Sequence, residues 1–102
     1  MTKHGRIFQS LADPTRRQIL QELKSGELTA GEIVERFEIS APAISRHLSI
    51  LEAAALVTRR REANRIYYAL EAETLASAVG DFLSAVCPTQ MVFRAKKKRS
   101  RK

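Results

Sequence analysis

Between Thr29 and Leu51 the apolar positions of the chain fall into two short stripes separated by a polar break. Ile33, Val34 and Phe37 form the first. Ile44, Leu48 and Leu51, at i, i+4 and i+7, form the second, one buried face of a helix. Thr29 followed by Glu32 has the spacing of a capping box and predicts where the first helix starts. Ser40 is placed to cap the second, and Pro42 fits its first turn, where a missing N–H costs nothing. Opposite the second stripe stand Pro42, Ala43, Ser45, Arg46 and Ser49, all small, polar or basic.

Two readings of this stretch stay open when it is taken alone. One is a hairpin of helices with a merely solvated polar face. The other is a helix-turn-helix whose slim second helix enters the DNA major groove, which is about 12 Å wide and admits one helix. The flanking chain favours the second. Upstream, Ile7, Phe8 and Leu11 predict a short helix over residues 3–11. Asp13 then caps a second helix with Pro14 at its first position and Ile19, Leu20 and Leu23 inward, ending near Ser25-Gly26 with Gly26 as a left-handed cap. Downstream, the reading helix is expected to continue through Ala55.

From Leu56 the period changes to alternation, with Ile66, Tyr68 and Leu70 on one face. Glu62-Ala63-Asn64 is short enough for a hairpin turn, with Asn64 the residue that tolerates positive φ. Arg59, Arg60, Arg61 and Arg65 stand at both shoulders, so this wing is expected to touch phosphates or the minor groove. Leu75, Val79, Phe82, Leu83 and Val86 then mark an amphipathic last helix, closed by Pro88. The expected fold is mainly α (α+β): a winged helix-turn-helix of about five helices and a two-stranded β-hairpin. The central helices and hairpin already supply a core. Ile7, Phe8 and Leu11 with Leu75, Val79, Phe82, Leu83 and Val86 are therefore the expected dimer seam; the competing reading is that they cover the monomer's own core.

With 102 residues the chain makes one domain, read as residues 1–88, followed by a basic tail over 89–102. The net charge of +7 is unevenly placed, because Lys96 to Lys102 holds six basic residues; without them the 18 basic side chains fall to 12, against 11 acidic ones. Any DNA site on the body must come from local clustering, whereas the tail is expected to be flexible and to embrace phosphates non-specifically. No apolar run approaches a membrane span, and MTKHGRIF has no signal-peptide core, so a cytoplasmic protein is expected. The single cysteine, Cys87, excludes an internal disulfide framework and fits a reducing compartment.

Four ordered segments carry a family resemblance: Leu11-Ala12-Asp13-Pro14-Thr15-Arg16-Arg17-Gln18-Ile19-Leu20, Glu27 to Ile33, Ile39 to Leu51, and Tyr67-Tyr68-Ala69-Leu70. In this order and spacing, over roughly residues 5–86, the chain resembles the ArsR-type winged-helix repressors. The resemblance implies a homodimer on an inverted-repeat operator that excludes RNA polymerase. It implies DNA contacts from Ser40, Pro42, Ala43, Ser45, Arg46 and His47 on the reading helix, and from Arg60, Arg61, Asn64 and Arg65 on the wing. His47 lies on the flank of the buried stripe and is read as packed or phosphate-bonded rather than as a metal ligand.

Many members of that family sense metals through cysteines in an E-L-C-x-C-D-L pattern. Here the matching residues are Glu27-Leu28-Thr29-Ala30-Gly31-Glu32-Ile33, with Thr29 and Gly31 where thiolates would be needed. His4, His47 and Cys87 share no ligand spacing. No metal, cofactor or metal sensing is expected. Cys87 reads either as a small hydrophobe at a helix end or as half of an intersubunit disulfide. No phosphate loop, G-x-S-x-G or metal motif supports an enzyme. The alternative from another class is a winged-helix protein-interaction module with a nucleic-acid-binding tail; it is disfavoured because the reading face carries Arg46 and no aromatics.

Overall fold

The computed structural model describes residues 4–88. The first helix, expected over 3–11, is shorter, running from Gly5 to Ser10 between His4 and Leu11 as its caps, and the expectation for the tail at 89–102 falls outside the described residues. Within them the order is α1 (Gly5–Ser10), α2 (Pro14–Glu22) running into a 3₁₀ turn (Leu23–Ser25), β1 (Leu28–Thr29), α3 (Ala30–Glu35), α4 (Ala41–Ala53), β2 (Val57–Glu62), β3 (Arg65–Leu70) and α5 (Ala72–Val86). This is the winged helix-turn-helix that the hydrophobic pattern predicts, with one strand added. β1 pairs with β3, making an antiparallel sheet in the order β1-β3-β2. Two residues are too few for alternation to mark a strand.

The caps are made as the sequence dictates. The Asp13 carboxylate accepts from the N–H groups of Thr15 (2.7 Å) and Arg16 (3.1 Å), with Pro14 in the first turn. Thr29 Oγ1 accepts from Glu32 N–H (3.1 Å) while Glu32 Oε1 accepts from Thr29 N–H (2.8 Å), a complete capping box. Each such cap satisfies donors that a helix start leaves open, worth about 1 kcal/mol.

Three further local expectations are corrected. Gly26 does not adopt the left-handed helical cap; at φ 144° and ψ 171° it occupies an extended region open essentially only to glycine. α4 stops at Ala53 instead of running through Ala55. Leu56 N–H donates to Leu51 O (3.0 Å) and Ala55 N–H to Glu52 O (2.9 Å), the paired bonds of a Schellman motif. Ala55 takes the left-handed position, φ 61°, where glycine is usual, and the buried Leu51 and Leu56 provide the accompanying apolar pair. In the wing, Glu62 faces Arg65 across a two-residue loop, and positive φ falls on Ala63 (56°), not on Asn64. Positive φ at the first loop residue alone is the type II′ pattern.

Ile19, Leu23, Ile33, Ile44, Leu48, Leu51 and Leu56 are fully buried and join α2, α3, α4 and the sheet into one core. The expected seam divides. Ile7 is only 6% exposed and belongs to the monomer's core, with Leu11 and Leu75 packed against it and Val79 half-buried. Phe8, Phe82, Leu83 and Val86 remain exposed. The Phe8 and Phe82 rings meet edge to face, 5.5 Å between centroids, so α1 and α5 present one apolar surface.

Candidate nucleic-acid interface

α4 is held by its buried stripe against α3 and α2, which turns its opposite face outward. Ser40 caps it, accepting from Ala43 N–H at 3.2 Å; the hydroxyl proton of Ser40 is left to donate. Pro42, Ser45, Arg46 and Ser49 are exposed and Ala43 is half-buried. Arg46 makes no hydrogen bond or ion pair with another described residue. A long, fork-shaped donor projecting between small side chains is suited to a guanine edge, where Arg bonds two acceptors at once.

His47 is placed differently from its neighbours. It is half-buried, with Nδ1 3.3 Å from Nη1 of Arg16, and so it serves the fold on at least one side of its ring. Arg16 also donates from Nε to Ser10 O (2.7 Å) and from Nη2 to Gln9 O (3.3 Å), closing the C-terminal carbonyls of α1. Arg17 does the same for Leu11 O (2.8 Å). The sequence pattern marks Asp13 and Pro14 as a helix start and assigns Arg16 and Arg17 no role of their own. The missed signal is two arginines placed just after a short helix with open carbonyls.

The wing arginines separate by register. Val57, Arg59 and Arg61 share the sheet face of Ile66, Tyr68 and Leu70; Arg60 lies on the other face, opposite Tyr67. Arg61, Asn64 and Arg65 are exposed and make no ion pair among the described residues. Arg59 lies 3.8 Å from Glu52. Arg60 is engaged through all three of its nitrogens. Its Nη1 donates to Glu62 Oε1 (2.6 Å), its Nε to Glu27 Oε2 (3.2 Å) and its Nη2 to Glu27 Oε1, with the guanidinium 4.4 Å over the Tyr67 ring. The bond from Arg60 holds the Glu27 carboxyl below its usual range, and Glu27 and then Glu62 hold the guanidinium above its own. Arg60 is thus not a spare cation of the same kind as Arg61 and Arg65. Glu27 was missed because nothing in the sequence links it to a residue 33 positions away.

Among the described residues, no cluster of three or more His, Cys, Asp or Glu side chains could hold a metal ion. Cys87, at the end of α5, is half-buried and free. No described helix is long and apolar enough to cross a membrane.

A capped reading helix, a preceding helix at its back and an arginine-bearing hairpin beside it define a winged helix-turn-helix DNA-binding protein. Comparison with known proteins supplies the family. Residues 13–59 match the model of the bacterial regulatory protein, arsR family. Over 80 residues the chain is 42% identical to the transcriptional repressor SdpR of Bacillus subtilis, covering 78% of this chain and 89% of that protein. It is 40% identical over 75 residues to a probable mercury resistance operon repressor of Streptomyces lividans, covering 74% and 60% of the two chains. An ArsR-like transcriptional regulator from Rhodococcus superposes with a TM-score of 0.74 at 26% identity, over 93% of this chain and 90% of the other. The chain belongs to the arsR family of bacterial transcriptional regulators.

Proposed function

We propose that this protein is a transcriptional repressor that binds an inverted-repeat operator as a homodimer, in the cytoplasm and without a metal effector. The observation that carries the reading is Arg46, exposed and without a hydrogen-bond or ion-pair partner among the described residues, on the outer face of a helix whose inner face is locked into the core. In this reading Arg46 reads a base edge, and Ser40, Pro42, Ala43 and Ser45 line the groove beside it. His47, Arg61, Asn64 and Arg65 contact or position the phosphate backbone. The tail at 89–102 adds sequence-independent phosphate contacts to the domain at 1–88. The exposed Phe8, Phe82, Leu83 and Val86 meet a second copy, because large apolar side chains grouped on adjoining helices mark an association site. Metal independence is supported by Thr29 and Gly31 standing where thiolate ligands would be needed, and by the sharing of no ligand spacing among His4, His47 and Cys87.

The test begins with a duplex recovered by the protein from a randomised pool. Fluorescence anisotropy then compares it with a shuffled duplex at two salt concentrations, with and without chelator. A preference of about a thousandfold, indifferent to chelator, is expected of a specific repressor. Arg46→Ala should relax the selected sequence at one position of each half-site, whereas Arg61→Ala should weaken both duplexes alike and flatten the salt dependence. Equal, steeply salt-dependent binding of both duplexes by the wild type would refute the reading.

A further inference from the structure

The sheet carries a side chain that runs from one edge strand over the central strand to the residue just before the other edge strand. Arg60 leaves β2, crosses the ring of Tyr67 on β3, and ends on Glu27, two residues before the point where Thr29 of β1 pairs with the same Tyr67. Thr29 is also the N-cap of α3, so the far end of this strap is fastened where the helix-turn-helix begins. Glu62 fixes the near end on β2 itself.

We infer that Arg60 is a positioning residue, which sets the wing relative to the reading helix, and is not a phosphate ligand. Charge is the first reason: one guanidinium between two carboxylates leaves the cluster net negative, and a phosphate brought to it meets Glu27 and Glu62 as well. Hydrogen bonding is the second, since Nε, Nη1 and Nη2 each donate to a carboxylate already and only two of the five N–H groups of the fork remain for another acceptor. Topology is the third. β1 is only two residues long, and strands so short hold a third position in a sheet weakly without side-chain support. Arg60 stacked on Tyr67 supplies that support through its plane and its charge together, which lysine would not reproduce.

The inference rests on the DNA-binding reading for its consequence, and its test separates the two. Arg60→Met, Glu27→Gln and the double variant are measured against the selected and the shuffled duplex over a range of salt. Each single variant is expected to lose about tenfold on the selected duplex, the loss of one misplaced base contact, with the shuffled duplex and the salt slope unchanged. The double variant should lose no more than either alone, because both break the same strap. Amide hydrogen exchange without DNA should accelerate at Leu28, which pairs with Tyr68, in all three proteins, while Thr29, whose N–H is held by Glu32, serves as the internal control. A salt slope flattened by about one phosphate in Arg60→Met, or tighter binding of both duplexes by Glu27→Gln, would overturn the assignment and make Arg60 a phosphate ligand restrained by Glu27. If the wild type prefers no duplex, the repressor reading falls and exchange alone decides: unchanged protection of Leu28 in Glu27→Gln removes the strap.

Discussion

Arg16 and His47, 31 residues apart, meet at 3.3 Å, with the guanidinium donating to Nδ1 of the imidazole. Arginine has no acceptor, so the ring must offer a lone pair on that nitrogen. The same guanidinium closes the carbonyls of Ser10 and Gln9, and one side chain therefore joins α1, which carries part of the exposed apolar surface, to the reading helix. Arg16→Ala opens all three contacts at once and is expected to cost about 2 kcal/mol, the range for hydrogen bonds to a charged group. Arg16→Lys should recover little of that, because an ammonium cannot reproduce the fork. Arg17→Ala, which opens one exposed bond, should stay within about 0.5 kcal/mol. Urea midpoints at constant slope check the order; equal losses from Arg16 and Arg17 would mean the fork is not the joint.

Two alanines occupy positions where glycine fits better. Ala55 closes the Schellman motif at φ 61° and Ala63 opens the wing turn at φ 56°. A Cβ in the left-handed region costs roughly 1–2 kcal/mol, partly offset in a glycine variant by the greater freedom of its unfolded chain. Ala55→Gly and Ala63→Gly should each stabilise the protein by about 0.5–1 kcal/mol, a rise in Tm of a few degrees for a domain of this size. Calorimetry of the two single variants and the double decides it, with additive gains expected since the sites lie at opposite ends of β2. A lower Tm in either single variant would show that the backbone there is not strained by its side chain.

These two alanines also mark what could and could not be read from the sequence. Elements with a strong apolar period were legible: the stripes of α2, α4 and α5 and the alternation of β3 give both their type and their buried faces. Caps were legible because Asp13, Thr29 and Ser40 combine chemistry with fixed spacing. The end of α4 was not, because Ala53, Ala54 and Ala55 are identical to a reader of helix propensity. Only the tertiary demand to bury Leu56 makes the last of them turn left-handed. β1 was invisible for want of length. At the site, exposure of Arg46 followed from the helical period, whereas the commitment of Arg60 depends on a carboxylate that only the sheet's strand order brings near. Local chemistry is written locally; pairing across the sheet is not.

Four carboxylates couple stability to acid. Asp13 is held below its ordinary range chiefly by the N–H of Arg16, Glu22 by Arg36, Glu27 by Arg60 and Glu32 by the N–H of Thr29. A group whose pKa is lower folded than unfolded contributes stability that is complete above its unfolded value and is lost as pH falls through the folded one. Unfolding free energy should therefore be level with respect to these groups at neutral pH and decline below the ordinary carboxylate range. Asp13→Asn is the informative variant, since asparagine still caps a helix but does not titrate. Its acid decline should be shallower than that of the wild type, with stability at neutral pH little changed. An identical decline would assign the acid sensitivity to the other three.

The division of the apolar residues of α1 and α5 predicts two distinct phenotypes. Phe82 is 53% exposed and Val86 63%, so a charge at either does not enter the monomer's core. Ile7, at 6%, does belong to it. Phe82→Arg is expected to leave the far-ultraviolet spectrum intact while moving the sedimenting mass from twice 11.5 kDa to 11.5 kDa. Operator binding should weaken with it, because two half-sites then no longer share one ligand. Ile7→Ala should instead cost about 2–4 kcal/mol by leaving a cavity, with the mass unchanged wherever the protein is folded. Sedimentation of both variants over a concentration series distinguishes the cases. A Phe82→Arg protein that still sediments as the wild type does would move the subunit contact away from the Phe8–Phe82 pair, and a monomeric Ile7→Ala protein would show that the two surfaces are one.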